Sequence, residues 1–79
     1  MITAHNTEKN EMVQVFSDRV KIVVDLVTDR TFVFIDGELK ASYDHLTTEE
    51  FINIQEKVEE VSRNLEKFER EQYKSGIKN

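Results

Sequence analysis

Few of the side chains able to do acid–base or nucleophilic work stand in a spacing that a reaction needs. Histidine is the usual general base at neutral pH, and the two copies here, His5 and His45, lie far apart in the sequence. Asp44-His45 is an acid beside a base, but neighbours in sequence rarely face one another productively. The pair therefore reads as a junction or capping element rather than as a base oriented toward a Ser or Thr nucleophile. There is no cysteine, which removes a thiolate nucleophile, a disulfide framework and sulfur ligation of a metal. Neither histidine has HxH or HxxxH spacing, so no metal site is expected. Gly37 and Gly76 are the only glycines, too few for a glycine-rich phosphate loop. These features predict a non-enzymatic protein with no cofactor.

The remaining chemistry is recognition. Arg19, Lys21, Arg30 and Lys40 fall on or next to predicted strands, with Tyr43 available for stacking. Together they form a candidate site for a small anionic ligand such as a metabolite or signalling nucleotide. The same cations also suit solvated edge positions that discourage sheet-to-sheet aggregation. Non-specific nucleic-acid binding is disfavoured, because 11 basic and 16 acidic residues are interspersed and the net charge is −5. No apolar run is long enough to cross a membrane, and MITAHNTEKN lacks a basic-then-apolar leader pattern. The expectation is a soluble, cytoplasmic protein.

The elements that must position these groups are readable from periodicity. The 79 residues fit one domain. Residues 1–11 show no regular spacing and are expected to form a loose arm, followed by a single α+β domain over 12–79. From Met12 to Tyr43, Val, Ile and Phe alternate with polar residues, which predicts about four short strands in a small antiparallel meander. The proposed strands begin with Met12–Phe16 and Arg19–Val27. A competing helical spacing over residues 8–27 is weakened by its valines, which are poor helix formers. Asp36-Gly37 between Thr-Phe-Val-Phe-Ile and Glu-Leu-Lys-Ala-Ser-Tyr predicts a two-residue type I′ hairpin. Straight pairing across it puts Phe32, Phe34, Leu39, Ala41 and Tyr43 on one face, and Val33 and Ile35 on the other. The register between the second and third strands is left open by the turn around Thr28–Arg30.

One long amphipathic helix is predicted over 48–75. Thr47 is its N-cap, Glu50 completes a capping box, and Gly76 is the expected stop. Phe51, Ile54, Val58, Val61, Leu65 and Phe68 follow the 3–4 alternation of a heptad. Such a helix is about 42 Å long, whereas a strand of six or seven residues reaches about 20–23 Å. Phe51, Ile54, Val58 and Val61 would then cover the chain's own sheet, while Leu65, Phe68 and Tyr73 project beyond it. That mismatch predicts a homo-oligomer, a dimer first, with the helix stripe at the interface. The other arrangement is a helix bent over a larger sheet with no second chain. Apolar residues on both faces of the sheet point to further protein contacts, as an adaptor or inhibitor. No segment carries the motif of a known family. The cysteine-free, Lys/Glu/Asn-rich composition resembles that of small accessory proteins of phages and low-GC bacteria, which keeps a host protein in view as the partner.

Overall fold

The computed structural model describes the backbone of residues 1–77 and the side chains of residues 1–69. Five strands precede one helix: β1 (Ile2–Asn6), β2 (Glu11–Val15), β3 (Val20–Asp25), β4 (Arg30–Ile35), β5 (Glu38–Tyr43) and α1 (Thr48–Ile77). All neighbouring strands are antiparallel and the sheet order is β1-β2-β3-β4-β5. The fold is an α+β meander with its helix packed on one face.

The turns explain why the chain reverses where it does. Asp36 and Gly37 both take positive φ, 54° and 78°, as a type I′ turn requires. The β1–β2 and β3–β4 loops share a different device. Asn6 Oδ1 accepts from the N–H groups of Glu8 and Lys9 at 3.1 and 3.3 Å; Asp25 Oδ1 accepts from those of Val27 and Thr28 at 2.9 and 3.3 Å. Each loop then ends on a left-handed residue, Asn10 (φ 51°) or Asp29 (φ 58°), a conformation that Asn and Asp tolerate better than other side chains. This device makes residues 2–6 a strand where periodicity alone suggested a loose arm, giving five strands instead of four. It also ends β3 at Asp25, so Leu26 and Val27 lie exposed in the loop instead of extending the strand. The helical spacing of residues 8–27 gives way to strand.

The loop lengths fix which face each side chain takes. Val23 pairs with Phe32 and Ile22 with Val33, so both phenylalanines of β4 share a face with Lys21 and Val23, away from the helix. Ile35 opposes Glu38 and Phe34 opposes Leu39, as straight pairing requires. Past that point a register shift leaves Lys40 as an extra residue, and Val33 pairs with Ala41. Ala41 and Tyr43 therefore turn to the helix-facing side, correcting the expectation that they share a face with the phenylalanines and Leu39. A bulge reverses side-chain alternation without changing sequence hydrophobicity.

The core lies between the helix and the inner face of the sheet. Val20, Ile22, Val24, Val33 and Val58 are buried together, and Met12, Phe16, Ile35, Ala41, Phe51, Ile54 and Leu65 pack around them. Leu65 thus covers its own sheet instead of projecting beyond it. Gln55 donates from Nε2 to Oε1 of buried Gln14 at 2.8 Å, which satisfies a polar pair inside this apolar contact. The capping box forms as expected: Glu50 N–H donates to Thr47 Oγ1 at 3.2 Å and Thr47 N–H to Glu50 Oε1 at 3.0 Å. The helix runs through Gly76 to Ile77 rather than stopping there. The side chain of Tyr73, predicted to lie at the interface, is outside those the structure describes.

Ile22 is fully buried whereas Val27 is 71% exposed. Ile22→Ala should lower the unfolding free energy by about 2–5 kcal/mol, and Val27→Ala should change it by no more than about 0.5 kcal/mol. Urea denaturation of the two variants checks this ranking, and equal losses would place the core elsewhere.

Candidate functional site

The acid–base candidates are used structurally. His45 Nδ1 pairs not with Asp44, its neighbour, but with Asp29 of the β3–β4 loop. Asp44 lies 3.3 Å from Arg30 Nε. Both contacts tie the start of α1 to the same end of the sheet. Beneath them is an open cleft of about 230 Å³ lined by Met12, Val24, Asp29, Thr31, Leu46, Thr47, Thr48 and Phe51. The Thr47 hydroxyl in this cleft is already used in capping. Among the described residues no cluster of three or more His, Cys, Asp or Glu could hold a metal ion.

The predicted anion-binding residues do not converge. Arg19 and Lys21 line one open cleft of about 300 Å³ with Val15, Ser17, Asp18, Phe34 and Gly37. Arg19 is engaged there: Nε and Nη2 donate to the two carboxylate oxygens of Asp36 at 2.6 and 2.7 Å, and Nη1 donates to Glu69. The guanidinium holds the Asp36 carboxyl below its ordinary range through these hydrogen bonds. Lys21 Nζ lies 5.4 Å from the centre of the Phe34 ring, a cation–π contact. Arg30 lies on the loop-proximal end of β4 beside Asp44, and Lys40 occupies the bulge of β5 with Nζ 2.9 Å from Glu38. Tyr43 is on the opposite face of the sheet from Lys21, paired with Thr31. Each of these cations thus has a partner in its own chain.

Uncovered apolar side chains are gathered more coherently. The outer face of the sheet carries Ile2, Val13, Val15, Phe32, Phe34 and Leu39 around a buried Val23; Ile2 is 70% and Leu39 53% exposed. On the helix, Phe51, Ile54, Val58 and Leu65 serve the chain's own core, while Val61 and Phe68 remain 39% and 56% exposed. At about 100° per residue, Gln55 lies on the flank that meets β2, so Val61 and Phe68 lie on the opposite flank, toward β5. Ser62, not Val61, is buried against the sheet. The predicted stripe therefore divides into a covered core row and an uncovered flank. Assigning Ile2 to an exposed surface needed the β1 pairing, which hydrophobicity does not signal.

His45 gives a direct check of the helix-start contact. The hydrogen bond that the His45 ring N–H donates to the Asp29 carboxylate, with that group's charge, raises the histidine above its ordinary value. A raised folded-state value means the contact stabilises the fold below the unfolded histidine pKa, and that this contribution disappears as pH rises through the folded value. A proton NMR titration should therefore place the imidazole above the ordinary histidine range, and Asp29→Asn should return it toward that range. An unchanged titration in that variant would reject the pairing.

Compared with known proteins, the chain matches no family model, no curated protein and no solved structure.

Proposed function

We propose that this chain is a small non-enzymatic interaction protein that self-associates and acts on other proteins as an adaptor or inhibitor. The observation that carries this reading is the exposed apolar flank of α1, where Val61 and Phe68 stand outside a core that the rest of the stripe already fills. Removing a phenylalanine from water is worth about 1.5–3 kcal/mol. That is a large share of the stability open to a domain of this size. A second copy covers the flank in the oligomer, and the outer sheet face, with Phe32, Phe34 and Leu39, is left for a partner such as a host protein.

Support for the small-anion reading is weaker. Arg19, Arg30 and Lys40 each face a carboxylate of the same chain, so an arriving anion must displace an existing ion pair. Among the described residues, no helix is long and apolar enough to cross a membrane. The absence of cysteine suits a reducing cytoplasm as the place of action.

Analytical ultracentrifugation across the micromolar range tests self-association. The expected result is a species heavier than the 9.3 kDa chain, shifted toward monomer by the double substitution Val61→Ser, Phe68→Ser. Because both positions are exposed, circular dichroism should show the variant's folded structure retained. Sedimentation of the unaltered chain at monomer mass throughout would overturn the oligomeric reading.

A further inference from the structure

We infer that β1 is the seam of a two-fold dimer, pairing antiparallel with β1 of a second copy about an axis through Ala4. This rests on the reading that the chain self-associates, but uses a different surface from the Val61–Phe68 flank.

A five-stranded sheet has two open edges, and this chain treats them differently. On β5 the register shift at Lys40 disrupts the ladder, and the Lys40–Glu38 ion pair adds charge to the same edge. A bulge and an edge lysine are devices that block the addition of another strand. β1 has neither. Its five residues pair with β2 in unbroken register, Ile2↔Val15 through Asn6↔Glu11, and all five are exposed. Residues 1–7 contain no Asp, Glu, Lys, Arg or Pro in a chain whose composition is 34% charged. The β1 edge thus presents free backbone donors and acceptors with nothing to repel a partner strand.

The occupant is set by self-complementarity. Only one antiparallel two-fold register pairs all five residues, and its axis passes through Ala4. Ile2 then opposes Asn6 of the second copy, Thr3 opposes His5, and Ala4 opposes Ala4. Small side chains meet at the axis, a hydroxyl meets an imidazole, and no like charges face each other. Ile2 and Ala4 share the outer face with Val13 and Val15, so the apolar strip at this edge continues across the axis. Pairing of β5 on one copy with β1 of the next is heterologous and would propagate into a filament. The guarded β5 edge prevents that, and isologous β1 pairing closes the continuous sheet at two chains, leaving the Val61–Phe68 flank for a separate contact between copies.

The absence of cysteine makes the test clean. Across an antiparallel pair, directly opposed Cβ atoms lie about 4.5–5.5 Å apart, so Ala4→Cys should place two thiols within disulfide reach. Lys40→Cys, on the guarded edge, is the control. Under mild oxidation Ala4→Cys should form covalent dimer on the order of tenfold faster than Lys40→Cys. The double substitution Thr3→Lys, His5→Lys should shift sedimentation toward monomer while circular dichroism remains that of the folded chain. Equal crosslinking rates overturn the seam. So does a dimer that survives Thr3→Lys, His5→Lys but is lost in Val61→Ser, Phe68→Ser; that result leaves self-association through the helix flank standing. A chain that is monomeric at every concentration overturns both readings.

Discussion

The structure depends on how a long helix meets a small sheet. Residues on one face of an α-helix recur every 3.6 positions, so the row over the sheet runs Phe51, Val58, Ser62, Leu65 and Glu69. Val58 sits at its centre against Val20, Ile22, Val24 and Val33. This contact supplies the core, and it decides which residues remain outside. Arg19 secures one end, because its side chain joins Asp36 of the β4–β5 turn to Glu69 of α1, and its carbonyl oxygen accepts from Asp36 N–H at 2.8 Å. The Thr47–Glu50 capping box and the Asp29–His45 pair hold the other end. Neither end contact is buried, so both orient the helix more than they stabilise it.

The same geometry shows why the heptad was only partly informative. A 3.5-residue repeat drifts by about 20° per heptad relative to a straight helix. That drift adds to the offset between alternate heptad positions, so at about 100° per residue Val61 and Phe68 fall about 80° and 100° round the axis from Phe51, while Ser62 and Glu69 stay within about 20° of the starting direction. Helicity and the capping box were readable from side-chain chemistry near in sequence. Which residues the helix buries was not, because that depends on whether it coils around a partner or lies straight on a sheet. The hairpin at Asp36-Gly37 was equally plain, since both residues had to take positive φ. The bulge at Lys40 was not, and it exchanged the faces of Ala41 and Tyr43. β1 was missed for a third reason: Ile-Thr-Ala-His-Asn carries a single sizeable aliphatic, too few to display a period, and becomes a strand because Asn6 and Asn10 shape the loop that returns it to β2. The cationic candidates were found as residues but not as a site, because a sequence does not show that Arg19 and Lys40 already face carboxylates.

Size makes the uncovered surfaces consequential. The buried hydrophobic side chains are Val20, Ile22, Val23, Val24, Val33 and Val58, of which Val20 and Ile22 alone are fully withdrawn from water among the described residues, and no disulfide or metal ligand set supplements them among those residues. Small domains with a single core hold only a few kcal/mol in reserve. Any surface that binds the folded chain and not the unfolded one adds to that reserve by mass action. In the self-association proposed above, association and folding are coupled: covering Phe68, or pairing β1, shifts the folding equilibrium as well as the oligomeric one. A chain that relies on association for stability must keep apolar or backbone-open surface on its exterior, and it must also limit where that surface can pair. The bulge and lysine on β5, opposite the uncharged β1, supply that limit.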